Sequence, residues 1–301
     1  MPDAITIQDL RKEYNGTSAL QGISFSIKQG EFFALLGPNG AGKTTTINIL
    51  TGLTNKTSGQ ALLFDKDVVK DYQEARALIG LVPQEFNFDQ FEKVYNVLYF
   101  NAGYFGIPRK ERSPRIQKIL QELQLWDKKD AKARELSGGM KRKLMIARAL
   151  IHQPQILILD EPTAGVDVET RKMMWSYLKK LNQQGITILL TTHYIEEAEE
   201  LCQRIAIINK GKIVVLDEKK NLLKVLESER INVYLGTKLT KIPHLLEKYH
   251  PALENNLLSF FVAANSWSTI LADLQKANVD IERLETQRNK LEDIFIHFTK
   301  Q

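Results

Sequence analysis

Gly37-Pro38-Asn39-Gly40-Ala41-Gly42-Lys43-Thr44-Thr45 lies between two apolar runs. Ahead of it, Glu31-Phe32-Phe33-Ala34-Leu35-Leu36 reads as a buried strand; behind it, Thr44-Thr45-Thr46-Ile47-Asn48-Ile49-Leu50 reads as a helix. Glycines let a backbone wrap closely around an anion, with successive N–H groups pointing inward at a β-phosphate. The partial positive charge of the following helix N-terminus adds to that attraction. Lys43 is expected to reach the β- and γ-phosphates, and the Thr44 hydroxyl to ligate Mg²⁺. The full Gly-x4-Gly-Lys-Thr spacing between a strand and a helix points to a nucleoside triphosphate as ligand, rather than to a plain glycine-rich turn.

With 301 residues, 43% of them hydrophobic, the chain can form one large domain with an appendage, or two domains. The net charge of +5 is modest, and from residue 219 onward 12 basic and 10 acidic side chains leave only +2. A charge this evenly spread reads as a solvated surface and gives nucleic-acid binding no support. The single cysteine, Cys202, cannot form an internal disulfide and falls in an apolar helical pattern, which suits a core thiol. The N-terminus enters Ala4-Ile5-Thr6-Ile7 without the layout of a signal peptide, and no apolar run reaches the roughly 18 residues a membrane span needs. A cytosolic chain is expected.

Residues 4–9, 21–27 and 31–36 read as strands, with turns at Asn15-Gly16 and Gln29-Gly30. Tyr14, in the first connection, can be a base-stacking aromatic or an ordinary turn tyrosine. Gln60–Phe64 and Ile79–Val82 are further strands. The second ends at Pro83-Gln84-Glu85, which places Gln84 where α/β proteins gather ligands, beyond a strand's carboxyl end. From 88 to 135 the strand alternation stops. Phe91, Tyr95, Tyr99 and Phe100 recur at helical spacing, Gly106-Ile107-Pro108 breaks the chain, and Ile116, Ile119, Leu120 and Leu123 mark a second amphipathic helix. The aromatic stripe is expected to be core, with a groove for a partner's helix as the other reading. In Leu136-Ser137-Gly138-Gly139, Ser137 is placed to N-cap a helix running to about 151, while the glycines leave its terminal N–H groups open to an anion.

Gln155-Ile156-Leu157-Ile158-Leu159-Asp160-Glu161-Pro162 is a buried strand ending in two acids. Charge in that position is costly unless a cation or polar ligand offsets it. Asp160 suits Mg²⁺ held through water, which leaves Glu161 to accept a proton from an attacking water. A helix follows Asp167, and the next strand closes at Thr191-Thr192-His193. A lone histidine is more often structural; here it ends a strand beside the acidic one, so a γ-phosphate contact is expected. Segments 205–208 and 213–216 read as a hairpin, 218–227 as a helix leaving the sheet. Beyond it strands near 231–235, 257–262 and 279–286 and helices near 242–249, 267–277 and 290–299 suit a small α/β appendage.

A phosphate loop, Gln84, Leu-Ser-Gly-Gly at 136–139, Asp160-Glu161 and His193, in that order, resemble the ATP-binding subunit of ABC transporters over roughly residues 4–225. Met140-Lys141-Arg142 and the later Leu291-Glu292-Asp293-Ile294-Phe295 are similar to the bacterial exporter branch that handles drugs and polysaccharides. The resemblance implies an α/β fold: a P-loop NTPase with a RecA-like core, an antiparallel β subdomain and a helical insertion at about 88–152. On that basis an ATP-binding domain is expected over 1–227 and an accessory α/β domain over 228–301. It also implies roles. Tyr14 stacks on adenine, Gln84 senses Mg²⁺ and the γ-phosphate, His193 holds the γ-phosphate, and Asp167 contacts the opposite subunit. One phosphate loop and one Ser137 terminus per chain imply a homodimer, or pairing with a related subunit. Each ATP then lies between Lys43 of one subunit and Ser137, Gly138 and Gly139 of the other. A separate membrane permease is the implied partner, with the chain peripheral at the cytoplasmic face of the cell membrane. Met140 where many members have glutamine, and Ala-Gly-Val-Asp at 164–167 where Ser-Ala-Leu-Asp is commoner, depart from the pattern. An importer subunit, or an ABC-type ATPase acting on nucleic acid or ribosomes, is the alternative reading. A GTP switch is excluded, because Asn209-Lys210-Gly211-Lys212 carries lysine where the base-binding acid belongs.

Overall fold

Strands buried on both faces carry apolar side chains on both, so they read as continuous hydrophobic runs, whereas half-buried strands alternate. Both kinds occur in this chain, in separate sheets. A computed structural model describes residues 2–225, 228–237, 239, 242–249, 251–254, 256–263 and 267–287. They divide into two compact units, Met1–Asp217 and Glu218–Gln301.

In the first unit β1 (Asp3–Tyr14) and β2 (Thr17–Lys28) form an antiparallel hairpin around Asn15-Gly16, both at positive φ (46° and 80°), as a tight hairpin turn requires. β1 outruns the predicted segment because its register shifts between Ile7 and Leu10, with Asp9 at φ 41°, and the bulge breaks the alternation. Next come β3 (Phe32–Leu36) and α1 (Lys43–Leu50), then β4 (Ser58–Leu63) and β5 (Lys66–Asp67), which complete an antiparallel sheet of order β2-β1-β4-β5. α2 (Tyr72–Ala77) leads to β6 (Ile79–Val82), and the insertion contributes α3 (Val94–Tyr104), α4 (Arg109–Glu122) and α5 (Gly138–Leu150). The chain returns through β7 (Ile156–Asp160), α6 (Val168–Gln183), β8 (Thr187–Thr192), α7 (Ile195–Leu201), β9 (Arg204–Asn209) and β10 (Lys212–Glu218).

The second sheet runs β10-β9-β3-β8-β7-β6. Its members β9, β3, β8, β7 and β6 are parallel, with Leu36 opposite Ile207 and Thr192, Asp160 opposite Thr191, and Val82 opposite Leu159. That register brings the ends of β3, β8, β7 and β6 to one edge. The phosphate loop, His193, Asp160-Glu161 and Gln84 therefore emerge as neighbours. The two sheets share a core in which Ile5, Leu10 and Phe25 meet Phe33, Ile47, Ile158 and Leu189. The Phe25 and Phe33 rings stack with centroids 5.4 Å apart.

α5 lies directly on β6, and Gly80 is the reason: a Cβ there would fall 2.3 Å from the Ala149 carbonyl oxygen. The aromatic stripe of the insertion departs from the expectation of core. Phe91 precedes α3 and is 69% exposed, Phe100 is 59% exposed, and the residues α3 buries are Val94, Val97, Leu98 and Ala102. Aliphatic side chains took the buried face, leaving Phe91 and Phe100 outside and Tyr95 and Tyr99 half-buried. Cys202, expected inside a helix, is buried at the C-terminal end of α7.

In the second unit α8 (Lys219–Val225), β11 (Ser228–Leu235), α9 (His244–Glu247), β12 (Ala252–Glu254), β13 (Leu257–Ala263), α10 (Trp267–Lys276) and β14 (Ile281–Gln287) follow in order. The strands form an antiparallel sheet, β12-β13-β11-β14, whose Ile231, Val233, Leu258 and Phe260 pack with Leu246, Ile270 and Leu274. α9 is shorter than the predicted 242–249, since Pro243 sits at its N-cap. The expected helix at 290–299, with Leu291–Phe295, lies outside the described residues. Among the described residues no helix is long and apolar enough to cross a membrane.

Gly80→Ala should push α5 off the sheet and lower stability by about 1–3 kcal/mol. A urea unfolding midpoint equal to that of the parent chain would rule out the close approach.

Candidate active site

The phosphate loop is clamped from both sheets. A Cβ at Gly37 would lie 2.5 Å from the Ile208 carbonyl oxygen on β9. One at Gly42 (φ 114°) would lie 2.8 Å from Leu20 Cδ2 and 3.0 Å from the Ala19 oxygen on β2. Ala41 accepts from the Gly211 N–H at 2.9 Å. The tip is open: Asn39 and Gly40 are exposed, and a Cβ on Gly40 would meet nothing within 4 Å. Gly42, in the left-handed region, is the N-cap of α1 and provides no side-chain cap, so the first helical N–H groups face the loop. Thr45 lies half-buried in that first turn.

Lys43 is buried, and its Nζ donates to the Gly37 oxygen at 2.7 Å and the Pro38 oxygen at 3.2 Å. Burial lowers its pKa; the charges of Glu161 and Asp160 oppose that shift. Thr44, exposed at the start of α1, places Oγ1 3.4 Å from Asp160 Oδ2. The other oxygen of Asp160 accepts from Thr191 Oγ1 at 2.5 Å. Burial pushes the Asp160 carboxyl up, and Glu161 beside it pushes the same way, against the Thr191 hydrogen bond and the Lys43 charge. Two oxygens of different strands and loops thus converge at the foot of the phosphate loop.

Glu161 is buried, and its backbone turns a corner at φ 49° while its N–H stays on the sheet, donating to the Thr191 oxygen at 2.9 Å. Left-handed backbone at a glutamate is uncommon and marks a position held by its surroundings. The carboxylate sits between two expected site residues. Gln84 Nε2 donates to Oε2 at 3.1 Å, and His193 Nδ1 lies 3.0 Å from Oε1. Gln84, Glu161 and His193, read from three separate strand ends, form one row.

Arg142 is a further member of the site. It extends from α5 to the carbonyl oxygens of Pro83 (3.1 Å) and Gln84 (2.9 Å), with its guanidinium 5.0 Å from the Phe86 ring. It is buried, which lowers its pKa, against the opposing charges of Asp160 and Glu161. The sequence held a signal: Arg142 precedes Met145, Ile146 and Ala149 by three, four and seven residues, on the helix's buried face. Thr191 joins the site as well, from within the buried strand β8.

A second cluster gathers elsewhere in the unit. Ser137 Oγ caps α5, accepting from the Met140 N–H at 3.3 Å, with Ser137 and Gly138 exposed. A Cβ on Gly139 would come within 3.0 Å of Thr170 Cγ2. Asp167 caps α6, its Oδ1 accepting from the Thr170 N–H at 2.8 Å, and that bond holds its pKa below the usual range. Gly139 and Asp167 thus both border Thr170, next to Ser137 and Gly138 at the start of α5, while Lys43, Thr44, Asp160, Glu161, Gln84 and His193 meet at the sheet edge. Tyr14 belongs to the β1–β2 hairpin, whose Ala19 and Leu20 border Gly42. It is half-exposed, with the Lys12 ammonium 4.6 Å over its ring.

A phosphate loop between strand and helix, with an acid pair on the parallel strand two places away, defines a P-loop NTPase. The sequence pattern of the family described as ABC transporter matches residues 20–164. The Nod factor export ATP-binding protein I of Burkholderia thailandensis is 37% identical over 297 residues, covering 98% of this chain and 96% of that protein. Among solved structures, the "Dimeric Structure of MJ0796, a Bacterial ABC Transporter Cassette" superposes with a TM-score of 0.66 at 28% identity, over 71% of this chain and 98% of that one. The same cassette in a post-hydrolysis state bound to ADP and Pi gives 0.65 at 29% identity, with the same coverage. The chain belongs to the ABC transporter family. It is an ABC-type ATPase.

A carboxyl whose pKa is raised by folding favours the folded state in its protonated form, so ionised Asp160 weakens the fold of the ligand-free chain at neutral pH. Asp160→Asn should raise the ligand-free melting temperature at pH 7. The gain should vanish as the pH falls below about 4, where the wild-type carboxyl is protonated in both states. A gain that persists unchanged at pH 3 would contradict this account.

Proposed function

We propose that this ATPase acts as a pair of identical or related subunits that energise export through a separate membrane permease. The observation that carries the hydrolytic part is Glu161, buried at the end of β7 and held between Gln84 and His193. In this reading Glu161 accepts the proton of the attacking water. His193 orients that water and the γ-phosphate, and Lys43 places its charge on the β- and γ-phosphates. Tyr14 supplies an apolar face for the base at the hairpin beside the loop.

The donor set fits Mg²⁺. The Thr44 hydroxyl and Asp160 Oδ2, 3.4 Å apart, are hard oxygen donors, and the Gln84 side chain is a third. Among the described residues there is no cluster of three His, Cys, Asp or Glu side chains that could hold a metal. Mg²⁺ suits such a site because it takes one or two carboxylates, with waters and substrate phosphates completing its shell. When bound it would neutralise charge on the phosphate oxygens.

Pairing is supported by the separation of the two clusters. The open α5 terminus at Ser137, Gly138 and Gly139, with Asp167 beside it, is an anion-binding end that Lys43's own cluster does not use. In a dimer each chain would lend that end to the other's ATP. The MJ0796 cassette is described as dimeric. Docking to a permease is supported by a groove of about 350 Å³ that begins three residues after Gln84. Asn87, Phe88, Val97, Phe100, Tyr104 and Arg148 line it, and Phe100 and Tyr104 are exposed. Exposed rings beside a ligand-sensing loop suit an apolar helix of a membrane protein at the cytoplasmic face. Export as the direction follows the relatives' name.

Glu161→Gln should lower kcat by about 10²–10⁴-fold with ATP affinity retained, and should elute as a dimer on gel filtration with ATP. Monomers at saturating ATP would sink the paired arrangement. Lys43→Ala should weaken ATP binding about 10–100-fold by equilibrium titration. Unchanged affinity would remove the lysine from the phosphates. Affinity purification from solubilised membranes should recover a polytopic protein.

A further inference from the structure

Directly after His193, α7 carries a carboxylate shut away from water. Glu197 is fully buried, and one oxygen, Oε1, accepts both from Thr163 Oγ1 and from Trp175 Nε1 (the latter at 3.3 Å). Its second oxygen is buried without a hydrogen-bond partner. Enclosing a carboxylate in this way costs stability that a hydrophobic side chain of similar volume would not. The three residues come from three segments that bear on the reaction. Thr163 is two residues after Glu161, in the loop that ends at Asp167. Trp175 is on α6, the helix that Asp167 caps. Glu197 is four residues after His193.

The His193 ring itself has little to hold it. Its side chain is 40% exposed, its Nδ1 faces Glu161, and its ring leans on Tyr194 with centroids 4.1 Å apart. Tyr194 is tied to the strand end by its N–H on Thr192 Oγ1 at 2.9 Å, and lies under the guanidinium of Arg171, 5.6 Å away on α6. Arg171 also pairs with Glu196 at 3.7 Å. The first turn of α7 thus sets where His193 stands, and the buried contact of that turn with the Glu161 loop runs through Glu197.

We propose that Glu197 is a positioning residue for ATP hydrolysis: it locks α7 to the loop after Glu161 and so fixes His193 against the Glu161 carboxylate. This rests on the reading of Glu161 as base and His193 as the γ-phosphate contact. Glu197 touches neither phosphate loop nor adenine side, so its effect falls on the chemical step and not on nucleotide capture. A displacement near 1 Å at a reacting centre is enough for a loss of about 10²-fold.

The test is steady-state ATPase kinetics and equilibrium ATP binding on the full chain for Glu197→Ala, Glu197→Gln, His193→Ala and the Glu197→Ala/His193→Ala double variant. Glu197→Ala should lose about 10–100-fold in kcat with Kd for ATP unchanged. Glu197→Gln, which keeps an acceptor oxygen for Thr163 and Trp175, should restore the rate to within a few-fold. The double variant should be no slower than His193→Ala alone, because residues acting through one another are not additive. Losses that multiply in the double variant, or a wild-type kcat in Glu197→Ala, would overturn the proposal. If Glu197→Ala does not fold, Thr163→Val replaces it in the same cycle, with the same non-additivity expected. A wild-type rate in His193→Ala would instead strike down the site reading beneath the proposal, and is told apart by that single variant.

Discussion

Charge buried at a sheet edge governs how the first unit is built. Lys43, Asp160, Glu161 and Arg142 are all buried within one neighbourhood, two of each sign. None of them could be kept there singly, since an isolated buried ion costs far more than a domain's margin of stability. Their pKa directions show the balance: burial works against ionisation of Lys43, Asp160 and Arg142, while opposite charge works for it at all three. The parallel register of β3, β8, β7 and β6 is what allows it, because it delivers four chain ends to one place without a linker between them. The hydroxyls of Thr44 and Thr191 and the amide of Gln84 then take up the carboxylate lone pairs.

Much of this was legible from residue order alone. Glycine spacing, an apolar run ending in two acids, and a histidine closing the next strand are local patterns. They place Lys43 and Thr44 at a helix start and Asp160, Glu161 and His193 at strand ends before any contact is known. What stayed hidden depends on long-range approach. Arg142 looks like one of several cations after the signature, and only the packing of α5 on Gly80 turns it toward Pro83 and Gln84. Glu197 sits in a run of surface-like acids, and its burial follows from how α7 lies against Trp175 and Thr163. The aromatic stripe misled for a related reason. Periodicity says which residues share a face and does not say which face is inward, and the aliphatic residues of α3 won that contest.

The geometry also separates two jobs that sequence order interleaves. Gly139 and Asp167 lie on either side of Asp160-Glu161 in the chain, yet in space both border Thr170. The helices that start there, α5 and α6, both begin at exposed ends with polar caps, so their N-termini form one capped platform. The loop between Glu161 and Asp167 joins that platform to the hydrolytic row over a handful of residues, and the hydroxyl of Thr163 within it is pinned on Glu197.

The corner in the backbone at Glu161 has an evolutionary consequence. At φ 49° the peptide chain admits Asn, Asp and Gly readily and strains against side chains branched at Cβ. A lineage that abandoned turnover while keeping ATP as a structural clasp would meet little resistance in drifting to Asn or Gly at this site. Val, Ile or Thr would have to rebuild the turn first, and with it the alignment of Asp160 on the preceding strand. Degenerate copies of such a gene should therefore carry their lesion as a small or amide residue.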